Sequence, residues 1–175
     1  MKAPKAIHVN FSFHPELCVG CGACVGACLD ENDNLPIERP LLRSLHRVEQ
    51  VRKSGANLLW YSLACLHCDS HDCWDACPKG CFSLDAATGT VQLDNTNCIG
   101  CHACEMACRY QAVVFEADGK ANKCDGCLER LRSGRLPRCV EACPRHAITI
   151  DDRPTVRTSA LKKLEKDLLA KKFHV

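Results

Sequence analysis

The sequence predicts an α+β fold of two nested units, built from short strands, hairpins and short helices and held together by cysteine cross-links. Three observations predict it. Seventeen cysteines stand against nine aromatic residues in a chain of 175, so cross-links must supply cohesion that packing usually supplies. Sixteen of the cysteines fall into four groups of four, and every group ends in CxxxC. Between the groups run short apolar alternations broken by Gly, Pro, Asp and Asn, the pattern of hairpins.

Three chemistries compete for so many thiols. Disulfides need an oxidising compartment, and the opening MKAPKAIHVNFSFHPEL has neither the apolar run nor the cleavage site of a general secretory signal. The expected compartment is therefore the cytoplasm, with export as a folded complex beside a signal-bearing partner left open. Zinc sites pair two CxxC knuckles through a long spacer. Here three of the four groups carry an extra cysteine at CxxC or Cx4C distance, and tetrahedral zinc has no need of the closing CxxxC. A 4Fe-4S cluster does explain the pattern. It needs four thiolates at the corners of a tetrahedron, and a CxxCxxC loop wraps three corners but does not easily turn back to the last. In two-cluster ferredoxins the trailing cysteine of each run reaches across to the other cluster.

Taken in order, residues 1–17 predict a strand, with Ile7, Val9, Phe11 and Phe13 at period two. CVGCGACVGAC follows, carrying Cys18, Cys21, Cys24 and Cys28, with Gly20 and Gly22 letting backbone N–H groups approach the sulfurs. Residues 29–61 carry no ligand. LDENDNLPIERP is polar and proline-broken, and LLRSLHRVEQVRKSGANLLWY predicts one or two strands around a Ser54-Gly55 turn. This insertion is either a docking surface for a partner or a cover over a cluster.

Residues 65–108 form the organising stretch. Cys65, Cys68, Cys73 and Cys77 make one group and Cys98, Cys101, Cys104 and Cys108 the next, joined by a hairpin over 81–85 and 90–94 that turns at Ala87-Thr88-Gly89. Pro78 ends the helix that carries the trailing Cys77. The Cx4C spacing makes the loop before Cys73 bulge. His67 and His71, beside and within it, read as loop residues or tuners of cluster potential rather than ligands, and Cys81 reads as a thiol that binds no iron.

A second hairpin follows, with a strand at Val113–Phe115 and a turn at Asp118-Gly119. The last group is Cys124, Cys127, Cys139 and Cys143, spaced CxxCx11CxxxCP with a helix-like LERLRSG inside, and a strand is predicted over 147–150. Residues 158–175 predict an amphipathic helix with Leu161, Leu164 and Leu168 on one stripe.

Gap lengths then pair the groups. Twenty residues separate Cys77 from Cys98, enough for a hairpin crossing, against fifteen between Cys108 and Cys124 and thirty-six between Cys28 and Cys65. The middle groups pair first, and the outer groups close around them. Cys18, Cys21 and Cys24 then take Cys143 (cluster 1). Cys65, Cys68 and Cys73 take Cys108 (cluster 2), and Cys98, Cys101 and Cys104 take Cys77 (cluster 3). Cys124, Cys127 and Cys139 take Cys28 (cluster 4). The predicted domains are an outer one over 1–61 plus 120–157, an inner one over 62–119, and the 158–175 helix. The fold expected is thus two nested bacterial ferredoxin-like domains of two 4Fe-4S clusters each.

In this order CVGCGACVGAC, CLHCDSHDCWDACP, CIGCHACEMAC and KCDGCLERLRSGRLPRCVEACP resemble the four-cluster ferredoxin-like subunit of molybdenum or tungsten oxidoreductases, the kind that serves dimethyl sulfoxide reductases, formate dehydrogenases and tungsten aldehyde oxidoreductases. The resemblance covers residues 8–150 and implies the same nested pairing. It further implies a catalytic molybdenum/tungsten-pterin subunit as one partner and a membrane anchor, flavoprotein or ferredoxin as the other. Cys28 and Cys108 depart from the pattern in lacking a following proline.

The function expected is a non-catalytic electron-transfer subunit relaying electrons through four 4Fe-4S clusters. The alternatives are a free polyferredoxin carrier and a self-associating electron conduit. No catalytic residues are predicted, because every group has a full thiol set and the sequence offers no dinucleotide fingerprint or nucleophile and base pair. No apolar run is long enough to span a membrane. The formal charge of +2 falls to roughly −6 once four clusters at about −2 each are counted, so it makes no case for nucleic acid. Lys79, Arg109, Lys123 and Arg145 follow ligand loops closely and are either potential-raising neighbours or solvated surface. Residues 65–108 are expected to pass charge to the clusters beside them rather than to meet an outside donor or acceptor alone.

Overall fold

The computed structural model describes residues 9–34, 39–52 and 55–150. The helix expected over 158–175 lies outside the described residues. The described residues contain four two-stranded antiparallel sheets and five short helices.

The first strand, β1 (Phe11–Phe13), pairs with the last, β8 (Ile148–Ile150), in the register Phe11↔Ile150 and Phe13↔Ile148. Between these distant ends lie three hairpins. The first joins β2 (Arg43–Arg52) to β3 (Gly55–Ala64), so the region read as one or two strands is two long ones. The others pair β4 (Phe82–Asp85) with β5 (Thr90–Leu93) and β6 (Val113–Phe115) with β7 (Ala121–Lys123).

The helices are α1 (Ala23–Glu31), α2 (Asp72–Asp75), α3 (Ala103–Ala107), α4 (Leu128–Arg132) and α5 (Arg138–Glu141). None is long enough to be stable alone. All but α4 carry a CxxxC pair or end beside one. The packing follows the sequence gaps: α1 lies against α5, and α2 against α3.

Two apolar clusters result. One gathers Val9, Phe11, Cys24, Leu131, Cys139, Val140 and Ile148, drawn from both ends of the described residues. The other gathers Cys81, Phe82, Val91, Cys104, Val113 and Ala121 from the middle. One strand and one hairpin straddle the domain boundaries expected from sequence. β3 runs through 61/62, and β7 stays with the middle cluster through Ala121, because a hairpin buries its second strand wherever it buries its first.

The β2–β3 hairpin covers the first cysteine loop. A Cβ on Gly20, whose φ is +71°, would come within 2.4 Å of the Trp60 indole, so only glycine lets the cover close. The two clusters are stitched together by Val9 N–H donating to the Thr88 carbonyl at 2.8 Å and by the Arg132–Asp85 ion pair at 2.6 Å. The side-chain hydrogen bond from Arg132, then those from Thr88, hold the Asp85 carboxyl below its usual range.

Candidate metal centres

Three cavities each have four thiols of the predicted sets on their walls, and the third has Cys81 as a fifth. One has Cys18, Cys21, Cys24 and Cys143 on its walls, the second Cys65, Cys68, Cys73 and Cys108, and the third Cys77, Cys98, Cys101 and Cys104. They enclose about 340, 470 and 330 Å³ not filled by atoms, part of it open to solvent. In the fourth group Cys28 lies close enough to Cys124 and Cys139 for each charge to act on the next, and Cys127 likewise faces Cys124 and Cys139. Among the described residues no three His, Cys, Asp or Glu side chains close on a single-ion point. The cysteines instead stand back around open space.

Local backbone geometry explains why each loop presents its sulfurs. The residue before the second cysteine has positive φ in all four: Gly20, His67, Gly100 and Gly126. That turn aims the N–H of residue i+2 at the first sulfur, from His67 to Cys65 at 3.4 Å and from Gly126 to Cys124 at 3.3 Å.

The trailing cysteines use a second device. A positive-φ residue at i+3 lets the N–H at i+4 fold back on the sulfur, from Cys81 to Cys77 at 3.5 Å, Ala112 to Cys108 at 3.4 Å and Ala147 to Cys143 at 3.2 Å. Cys28 differs because α1 runs on past it. The Asn32 backbone N–H is used by the helix, and its side-chain amide reaches Cys28 Sγ at 3.6 Å. Amide donors to sulfur are what an anionic cluster requires.

Without iron burial makes several of these thiols resist ionisation. Burial, followed by the charge on Cys124, pushes the Cys28 thiol up to about 12. Burial, then Cys65, takes Cys124 to about 11, and burial takes Cys104 to about 11 and Cys127 higher still. Cys77 goes the other way. Burial acts upward on it, but hydrogen bonds from the backbone of Cys81, Lys79 and Gly80 and from the Cys81 thiol hold it below the ordinary value. Crowded, buried thiols with sulfur-directed donors become thiolates when a cationic iron core arrives, so these residues fit a 4Fe-4S cluster.

Cys81 lines the same cavity as Cys77 and donates its S–H to it. It occupies the i+4 position held by Ala112 and Ala147 after the other two trailing cysteines.

The residues singled out as tuners separate. Lys79 and Arg145 are exposed, and Arg109 pairs with Asp72 at 2.8 Å on the surface. Lys123 is buried, only 4% exposed, with Nζ donating to the carbonyls of Val91 and Cys124 beside the second cavity.

His67 is buried too. Its Nδ1 accepts the Val91 N–H at 3.0 Å and its ring stacks on Phe11 with centroids 5.7 Å apart, tying the two apolar clusters together. Burial, then the Lys123 charge, holds it well below the ordinary histidine value, so it is neutral. His71 begins α2 and packs on Trp74.

Sequence reasoning missed Arg43 and Ser62, both buried among the thiols of the first and last groups. It also placed residues 65–108 inside the relay. Cys101 and neighbouring Ile99 are exposed there, just as Cys21 and Val19 are in the first group.

The sequence is similar to known proteins. Residues 56–153 match the 4Fe-4S dicluster domain, and residues 11–28 match the 4Fe-4S binding domain. The protein is 36% identical over 149 residues to protein NrfC of Escherichia coli strain K12, a match that spans 83% of this sequence and 66% of that one. It is 36% identical over 158 residues to the B subunit of the anaerobic dimethyl sulfoxide reductase of Haemophilus influenzae, spanning 85% of this sequence and 76% of that one. The corresponding B subunit of Escherichia coli K12 is 35% identical over 148 residues, spanning 79% and 71%. The match thus falls just short of two thirds of the length of NrfC and exceeds that share of both reductase subunits. With the matched residues including all seventeen cysteines, the protein belongs to the 4Fe-4S dicluster domain family.

Proposed function

We propose that this protein is the non-catalytic electron-transfer subunit of an oxidoreductase complex and holds four 4Fe-4S clusters in two nested ferredoxin-like domains. The ligand sets are those named by the gap lengths: Cys18, Cys21, Cys24 and Cys143; Cys65, Cys68, Cys73 and Cys108; Cys98, Cys101, Cys104 and Cys77; and Cys124, Cys127, Cys139 and Cys28. The inner domain ends after Lys123, where its hairpin ends.

One observation carries this reading: the four thiol sets form an unbroken succession. α1 carries Cys24 of the first set and Cys28 of the fourth, and α5 ties Cys139 of the fourth to Cys143 of the first. The fourth meets the second where Cys124 faces Cys65. The second and third share α2, with Cys73 in it and Cys77 just beyond, and α3, with Cys104 in it and Cys108 at its end.

Each bound cluster supplies a one-electron carrier. The protein's own residues fix the sulfurs, aim amides at them and keep water from the middle of the series. The two ends are open. Cys21 and Cys101 are exposed, flanked by exposed Leu17 and Val19 at one end and Ile99 and Met106 at the other. Exposed apolar side chains beside a redox centre suit contact with a partner. By analogy with the B subunit of the dimethyl sulfoxide reductases, the partner at one end is a catalytic molybdenum/tungsten-pterin subunit, and that at the other is a membrane anchor, flavoprotein or ferredoxin.

Anaerobic purification of the tagged protein from its own cells tests this. A pterin-containing subunit should follow it in near 1:1 ratio. A cluster-loaded monomer alone would make it a free polyferredoxin, and filaments a self-associating conduit.

A further inference from the structure

Arg43, the first residue of β2, is only 5% exposed. A guanidinium never loses its charge in a protein, so one this deep must have a counter-charge. Arg130, comparably buried at 7%, has Glu141 at 2.7 Å and Glu31 at 3.6 Å. Among the described residues Arg43 has no carboxylate within 4.0 Å; sulfur surrounds it instead. The charges acting on it are those of Cys139, Cys124, Cys24 and Cys28.

Ser62 completes the arrangement from the facing strand. Arg43 Nη1 donates to Ser62 Oγ at 2.8 Å, and Ser62 Oγ stands 3.3 Å from Cys24 Sγ. A guanidinium only donates, so the hydroxyl accepts from Arg43 and turns its own proton toward a Cys24 thiolate.

We propose that the β2–β3 hairpin seats a single cation between two cluster sites, with Arg43 raising the reduction potentials of both the first and the fourth cluster and Ser62 carrying its hydrogen bond to the first. This rests on the ligand sets proposed above. Arg43 and Ser62 are positioning residues; neither binds iron. The physical basis is that reduction adds negative charge to a cluster, and a nearby buried cation stabilises that charge more strongly than water-screened surface charges do. Arg43 is shared because it comes from the insertion, whose strands lie across the seam between α1 and the last cysteine group. The hairpin therefore does more than cover the Cys18 loop.

The test is an anaerobic redox titration followed by electron paramagnetic resonance on the purified protein. The first and fourth cluster signals are assigned by their loss in Cys21→Ala and Cys127→Ala. Arg43→Gln should lower the midpoints of those two clusters by at least a tenfold change in the reduced-to-oxidised ratio, about 59 mV for one electron, and leave the other two in place. Arg43→Lys should keep most of the parent potential, because the charge remains. Ser62→Ala should lower the first cluster alone, and it carries the test if Arg43→Gln assembles poorly.

No shift in Arg43→Gln, a shift at one cluster only, or an equal fall at all four would overturn the inference. So would a Ser62→Ala variant that moves the fourth cluster. A parent protein with four clusters whose potentials ignore Arg43 defeats this inference and leaves the relay standing. A parent with fewer than four defeats both, since Arg43 then has no pair to join.

Discussion

Cys143→Ala removes one cluster, and the cluster removed is the one held by Cys18, Cys21 and Cys24 at the opposite end of the sequence. This is the largest single-residue effect expected, because residue 143 stands far from those cysteines in sequence yet lines their cavity. β1–β8 pairing brings the two ends together, and α5 packed on α1 delivers Cys143 to the space the first loop leaves open.

Non-additivity is the decisive readout, because residues serving one site share one loss. Cys143→Ala and Cys21→Ala combined should cost no more iron than either alone, and both should abolish the same paramagnetic signal. Cys143→Ala combined with Cys68→Ala should lose two signals. If Cys143→Ala instead removes a signal that Cys68→Ala or Cys101→Ala also removes, the nested pairing is wrong.

Stripping the iron unfolds the protein. The two apolar clusters are small, and cysteine sulfur makes up part of each. Fully burying a large apolar side chain contributes about 1.5–3 kcal/mol, whereas ordering the backbone costs about 1–2 kcal/mol for every residue fixed. Phe11, Leu131, Val140 and Ile148 on one side and Phe82, Val91 and Val113 on the other are too few to hold four two-stranded sheets and five short helices. The iron cores are the cross-links that make up the difference.

The apo form also confronts its own thiols. When pH rises through the ordinary thiol range, cysteines of the unfolded state ionise. Cys28, Cys104 and Cys124, pushed up to about 12, 11 and 11, do not. The folded apo form then binds more protons than the unfolded one, so its stability falls as pH rises from about 8 toward those values. Circular dichroism after anaerobic chelation should show loss of the native signal, more complete at pH 9 than at pH 7. A protein that keeps its spectrum and protease resistance without iron would contradict this.

Much of this architecture is legible in the sequence because cluster loops are local. CxxC and CxxxC spacing fixes which sulfurs can share a turn, and hairpin alternation marks β4–β5 and β6–β7 without reference to anything distant. The buried cations are harder, since their partners come from elsewhere in the sequence. Lys123 looks like one more charge after a ligand loop, and Arg43 like one more charge in an insertion. A signal was present for both. Arg43 falls in phase with Leu45, which lines the first cavity, rather than with its neighbours Ser44 and His46, and Lys123 falls in phase with buried Ala121. A charge on the covered face of a strand marks a buried counter-charge. His67 was hidden for another reason, since nothing local shows that a loop histidine will reach Val91 and Phe11.

Iron and acid-labile sulfide counted per polypeptide in anaerobically purified protein test the four-cluster relay most directly. Four 4Fe-4S clusters require about sixteen of each. A value near sixteen for both, in protein whose signals titrate as four separate one-electron centres, is the predicted result; a value near eight would contradict it.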